Sequence, residues 1–191
     1  RSELGIQPEE FVLIYVGRLA AFKGFDKVVA AYRKLQQRDV PVRLLILGAF
    51  DALHPSGLSE EEMSGLQNDP SVLMPGWQEN VAEWLALSDL CVFPSEREGM
   101  PVCLMEALCM GVPVVTSNSR GCRDVVRDEV DGLVLNETSV SVIAAAVDSL
   151  VNNPQTLSSM RISARERRGE FDRTVYIQEQ IDSLKEVLAI V

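Results

Sequence analysis

Two stretches restrict the fold more than any other feature of the chain: Phe11-Val12-Leu13-Ile14-Tyr15-Val16-Gly17, and Pro41-Val42 through Leu47-Gly48. Each is a short, largely apolar run stopped by glycine. A strand with one wet face alternates apolar and polar residues, so a continuous run needs cover on both faces, as in a parallel sheet between helices. Shorter runs follow at Val72–Met74, Asp89–Phe93, Val112–Thr116 and, after an Asp131-Gly132 turn, Leu133–Leu135. Helical patterns lie between them. Phe25, Val28, Val29, Tyr32 and Leu35 share one helix face. Ser59-Glu60-Glu61-Glu62 reads as a capping box, and Asn80-Val81-Ala82-Glu83 resembles one. Six strand candidates separated by helices predict an α/β fold with a doubly wound, mostly parallel sheet, because parallel neighbours need crossovers. After Asn136 the pattern is helical throughout. Asn153-Pro154 puts proline at the first position of a helix, and Ile177, Ile181, Leu184 and Leu188 mark an apolar stripe on the last one. No repeat, low-complexity tract or linker interrupts the chain, so residues 1–191 are expected to form a single domain.

At 47% hydrophobic and 24% charged residues the chain can bury a sizeable core. Its formal net charge of −10 argues against a nucleic-acid partner, because phosphate backbones are gripped by basic fields. A single phosphorylated small ligand remains compatible, since its grip depends on local donors. Cys91, Cys103, Cys109 and Cys122 include no Cys-x-x-Cys pair, and His54 is the one histidine, so no metal-ligand spacing is present. Free buried thiols in a reducing, cytosolic compartment are expected. No apolar stretch approaches the ~18–20 residues of a membrane span. The chain opens on Arg1 and enters a strand almost at once, which fits a fragment or an excised domain.

In open parallel sheets, ligands bind beyond the carboxyl ends of the strands, near the reversal of strand order. Three loops qualify: after Gly17, after Met74 and after Phe93. The first reads Gly17-Arg18-Leu19-Ala20-Ala21-Phe22-Lys23-Gly24. It lacks both the Gly-x-Gly-x-x-Gly and the Gly-Lys-Ser/Thr patterns, which weakens dinucleotide-oxidoreductase and ATPase readings. It offers instead a planar fork of donors, Arg18, and a point charge, Lys23, suited to a phosphate or simply solvated. In the loop after Phe93, Gly99 permits close backbone approach and Pro101 suits the first helical position, so amides near residues 99–102 could donate to an anion. Glu106, deep in the apolar run Val102–Leu108, lies beyond the capping-box position. A carboxylate there needs donors: a vicinal diol, backbone amides, or an arginine such as Arg97 or Arg120.

Glu98-Gly99-Met100-Pro101-Val102-Cys103-Leu104-Met105-Glu106 resembles the Glu-x7-Glu motif of family 4 retaining glycosyltransferases. Gly17-Arg18-Leu19 with Lys23-Gly24, Ser88-Asp89 before a strand ending in Pro94-Ser95, Glu106-Ala107, Gly111-Val112-Pro113-Val114-Val115 and Asp131-Gly132 fit the same family. The resemblance covers nearly the whole chain. It implies the carboxyl-terminal, Rossmann-like half of a two-domain GT-B fold, with the acceptor-binding amino-terminal half outside this chain. Position by position, it implies that Arg18 and Lys23 bind a nucleotide-sugar diphosphate. Glu106 would hold the ribose and Glu98 the donor-sugar hydroxyls. The amides of Gly99, Met100 and Val102 would cradle phosphate, beside Gly17. Trp77 and Gln78 would border the base, although an aromatic such as Trp77 is more often simply packed. No metal and no cofactor are implied.

Where many relatives have Gly-Gly-x-x-Glu, this chain has Arg120-Gly121-Cys122-Arg123-Asp124, a variant resembling capsule and exopolysaccharide transferases that favours a uridine-diphosphate sugar. Arg120 and Arg123 add phosphate contacts or pair with Asp124, Asp128 or Glu129. His54, between Leu53 and Pro55, matches no family histidine and is expected to be solvated. The implied partners are the sugar donor and, through the amino-terminal half, an acceptor glycan or lipid, with any membrane contact also through that half at the inner membrane face. A non-catalytic nucleotide-binding module and a GT-B-type nucleotide-sugar epimerase are the alternatives. Alone, the chain is expected to bind donor weakly and transfer little.

Overall fold

The computed structural model describes residues 1–38 and 40–189. The apolar runs form β1 (Phe11–Val16), β2 (Val42–Leu47), β3 (Val72–Gly76), β4 (Leu90–Phe93), β5 (Val114–Ser117) and β6 (Gly132–Leu135). They make one sheet in the order β3-β2-β1-β4-β5-β6, with every pairing parallel. Helices α1 (Phe25–Gln36), α2 (Glu60–Gln67), α3 (Val81–Ala86), α4 (Val102–Cys109) and α5 (Arg120–Val125) are the crossovers. Helices α6 (Val140–Val151), α7 (Pro154–Glu166) and α8 (Arg173–Ala189) follow β6. This is the doubly wound α/β architecture that the alternating runs predict.

β1 lies inside the sheet, paired with β2 from Phe11↔Val42 to Val16↔Leu47 and with β4 at Leu13↔Leu90. Val12 to Val16 are all buried, which is why the run shows no polar alternation. The predicted face of α1, Phe25, Val28, Val29, Tyr32 and Leu35, is buried too. Strand order reverses between β1 and β4, so the crevice for a ligand opens where the loops after these two strands diverge.

Local signals were met unevenly. Ser59 and Glu62 make the reciprocal capping box, with bonds of 3.2 and 2.9 Å. Asn153 accepts from the Thr156 amide, and Pro154 opens α7 as expected. Asn80 precedes α3 as its N-cap residue but makes no side-chain cap bond. Pro101 is the extended residue before α4 and not its first helical residue. β5 starts at Val114, later than its apolar run. The Val112 amide is used on the Ala107 carbonyl at the end of α4, and Pro113 has no N–H for a ladder. β3 continues through Pro75, which an edge strand tolerates. The four cysteines are free, Cys91 and Cys122 fully buried. Ile177, Ile181, Leu184 and Leu188 of α8 are exposed. Among the described residues no helix is long and apolar enough to cross a membrane.

Candidate functional site

The loop after β1 is built by its neighbours. The Gly17 amide continues the ladder to Leu47 O (2.9 Å), so this residue offers room at the site and no free donor. Leu19 and Ala21 donate to Ala49 O and Pro55 O, which ties the loop to the segment after β2. A short turn over Ala21–Lys23 ends at Gly24, whose φ of 75° is left-handed. A Cβ there would stand 2.6 Å from the Pro94 carbonyl, so glycine is required both by conformation and by contact with the loop after β4. The Glu96 amide donates to Phe22 O and joins the two loops.

That junction delivers Lys23 to Glu98: Nζ and Oε1 are 2.5 Å apart, with side-chain exposures of 14% and 11%. Arg18 and Lys23 both lie against the Phe22 ring, 5.1 and 5.2 Å from its centroid. Both predicted cations are therefore at the switch point, and neither is simply solvated. Arg18, half-exposed, pairs with Asp51 at 2.5 Å.

A cleft of about 280 Å3 gathers Gly17, Arg18, Gly48, Ala49, Trp77 and Gln78 at the carboxyl ends of β1 to β3. Trp77 is 68% exposed, so the reading of a merely packed tryptophan does not hold. Gln78 donates its side-chain amide to Pro75 O. Lys23, Glu98 and Glu106 are not among the residues lining this cleft.

The loop before α4 is fixed from beneath. Thr116 donates to Phe93 O, Ser117 to Ser95 O, and a Cβ on Gly121 would overlap the Gly99 carbonyl. Met100 and Val102 are exposed. Among the described residues no hydrogen bond is donated by the amides of Gly99, Met100 or Val102. Glu106 is half-buried, and burial pushes its carboxyl above the ordinary glutamate range. No hydrogen bond or ion pair among the described residues reaches it, so neither Arg97 nor Arg120 is its partner. Arg120 and Arg123 are exposed, and no pairing with Asp124, Asp128 or Glu129 occurs among those residues.

Sequence reasoning did not single out Phe22 or Asp51, and it placed His54 in solvent. His54 is partly exposed, but its Nδ1 lies 2.9 Å from Asp51 Oδ2 and its ring 5.0 Å from that of Phe22. The signal was the pairing of β1 with β2, which brings residues 18–23 beside residues 49–55.

Residues 1–167 match the family described as "Glycosyl transferases group 1". The chain belongs to this family. It is 24% identical, over 92% of its length and 46% of the relative's, to the capsular polysaccharide biosynthesis glycosyltransferase CapM of Staphylococcus aureus. It is 29% identical to a D-inositol 3-phosphate glycosyltransferase of Segniliparus rotundus, over 90% of this chain and 39% of that one. The chain thus spans less than half the length of these group 1 relatives. The crystal structure of Anabaena HepE in complex with UDP superposes over all of this chain and 51% of its own, with a TM-score of 0.83 and 22% identity. The fold is that of the GT-B glycosyltransferases, as the sequence motifs imply.

Proposed function

We propose that this chain is the donor-binding half of a retaining glycosyltransferase, one that moves a sugar from a nucleoside diphosphate to an acceptor in polysaccharide or glycolipid synthesis. The observation that carries the reading is the placement of Arg18 and Lys23 against Phe22 at the strand-order switch, with Lys23 on Glu98. As the glycosidic bond breaks, negative charge grows on the diphosphate and positive charge on the sugar ring. A cation fixed about 4 Å from a phosphate charge contributes roughly 4 kcal/mol at an effective dielectric of 20, before desolvation. Arg18 and Lys23 take that role. Glu98, bonded to Lys23, stands where sugar hydroxyls would meet it, so that the acceptor attacks from the face the diphosphate leaves.

Glu106 takes the ribose diol, since a half-buried carboxylate without a partner among the described residues is suited to two hydroxyl donors. The amides of Gly99, Met100 and Val102 receive phosphate oxygens, and exposed Trp77 stacks on the base beside Gln78. A uridine-diphosphate sugar is the proposed donor, in keeping with the Arg120–Asp124 variant and with the UDP in the HepE complex. The acceptor is chosen by an amino-terminal half, without which transfer is slow or absent.

Titration calorimetry of this chain with uridine, guanosine and adenosine diphosphates tests the assignment. Saturable binding of uridine diphosphate, weakened at least about tenfold in Glu106→Gln, is expected. No nucleotide uptake by the folded chain, or an unchanged affinity in the variant, would overturn it.

A further inference from the structure

Asp51 belongs to the loop after β2, outside the motifs that mark the family, yet its carboxylate gathers three nitrogens beside the loop after β1. Oδ1 accepts the Leu53 amide at 2.9 Å, which fixes the side chain to its own loop. Oδ2 accepts Arg18 Nη1 at 2.5 Å and meets His54 Nδ1 at 2.9 Å. The backbone bond from Leu53, then the bonds from His54 and Arg18, hold this carboxyl down at about 2, so it is ionised and can only accept. His54 therefore carries its proton on Nδ1. The loop is itself anchored to the loop after β1 by the Leu19–Phe50 bridge and by the Ala21 amide on Pro55 O.

Arg18 is long, half-exposed and carries five N–H donors, so its value to a phosphate depends on where the guanidinium points. In this structure one edge is held by Asp51 and the group packs on Phe22, while Arg18 also borders the cleft shared with Trp77 and Gln78. We propose that Asp51 is a positioning residue: its carboxylate, fixed by the Leu53 amide, clamps the Arg18 guanidinium against Phe22 so that its remaining N–H donors are held ready for the diphosphate that Arg18 shares with Lys23. This rests on the donor-site reading. The opposing physics is like-charge repulsion between Asp51 and the incoming diphosphate. The clamp outweighs it because the carboxylate is already neutralised by the guanidinium at contact distance, and immobilising Arg18 beforehand removes an ordering cost that phosphate capture would otherwise bear.

The test combines spectroscopy and binding on this chain. Nitrogen-edited NMR of the guanidinium groups reports the clamp without any ligand: restricted Nη1 resonances of Arg18 are expected in the native chain, and their averaging in Asp51→Asn. Calorimetry with uridine diphosphate and with uridine reports the consequence. Asp51→Asn is expected to weaken the diphosphate by roughly 5- to 20-fold and leave uridine unchanged, with a lower melting temperature at pH 7 because a carboxyl held below its ordinary range stabilises the fold, but with cooperative unfolding retained. In an Arg18→Ala background the same change should cost less than about twofold, because the group it positions is gone. Equal losses for uridine and its diphosphate, additive effects in the double variant, or tighter diphosphate binding in Asp51→Asn would overturn the proposal. If the chain takes up no nucleotide while the Arg18 resonances still respond to Asp51→Asn, the donor reading falls and the clamp stands. If nucleotide binds and those resonances do not respond, the donor reading stands and the clamp falls.

Discussion

Glu106 occupies a position where a carboxylate destabilises its own domain. Burial raises its affinity for a proton, and no donor among the described residues offsets the desolvation. The sign of the pH dependence follows. A carboxyl whose folded value lies above its unfolded one binds protons more tightly in the folded state, so its penalty is present at neutral pH and is relieved as pH falls through the folded value. Glu106→Gln, which cannot ionise, is therefore expected to melt above the native chain at pH 7, with the gap closing as pH approaches the ordinary glutamate range. The same variant should bind uridine diphosphate about 10- to 100-fold more weakly, since hydrogen bonds to a charged acceptor contribute about 1.5–3 kcal/mol. Thermal melts at pH 7 and pH 5, set beside calorimetry, check both. A variant that melts lower at pH 7 would mean that Glu106 has a structural partner, and the ribose role would lose its physical basis.

At the scale of elements, the support beneath the site depends on one buried charge pair. Asp131, fully buried just before β6, accepts the Arg127 amide at Oδ1 and Arg167 Nη1 at Oδ2, 2.6 Å away. Arg167 also donates to Val125 O at the end of α5 and to Glu170, and its guanidinium lies over Phe171. The pair thus joins α5, β6 and the turn after α7, and α5 in turn packs against the Glu98–Gly99 loop through Gly121. Arg167→Met would leave Asp131 buried with the Arg127 amide as its remaining partner. The expected loss is about 3–5 kcal/mol, or roughly 6–20 °C in melting temperature for a chain of this size. Adding Asp131→Asn should restore part of it, because the uncompensated charge is then removed. A melting temperature within about 2 °C of the native value in Arg167→Met would show that the pair is not coupled to folding. Element starts were legible wherever one side chain decides them, as at Ser59 and Asn153. They were misplaced where the backbone decides, as at Pro101 and Val112, whereas α3 does start after Asn80 but without the cap bond.

Across the whole molecule, the sheet was readable because β1 to β6 are short apolar runs and parallel pairing follows from the helices between them. Arg18, Lys23 and Glu98 were readable because each sits in a loop that follows such a strand, and Glu106 because it interrupts the apolar run that becomes α4. Asp51, Phe22 and His54 were not, because their meeting depends on which strands are neighbours, and spacing along the chain does not encode the order β3-β2-β1-β4-β5-β6. The final helix poses the converse problem: its apolar stripe was legible and its place in the architecture was not. Ile177 and Ile181 are 44% and 40% exposed, Leu184 and Leu188 63% and 73%, and α8 packs against the turn over residues 167–171. The family match itself ends at residue 167. A helix that buries so little of its stripe contributes little hydrophobic stabilisation, at about 25 cal/mol per Å2 removed from water. A chain ending at Asp172 is therefore expected to keep cooperative unfolding, with a melting temperature within about 4 °C of the longer one. It should also keep its nucleotide affinity, since every proposed contact precedes residue 107. Any concentration-dependent association of the longer chain, measured by sedimentation at two concentrations, should disappear with the stripe. A fall of more than about 10 °C would mean that α8 lays its apolar face on the domain in solution. Its stripe would then belong to the core, like the buried face of α1.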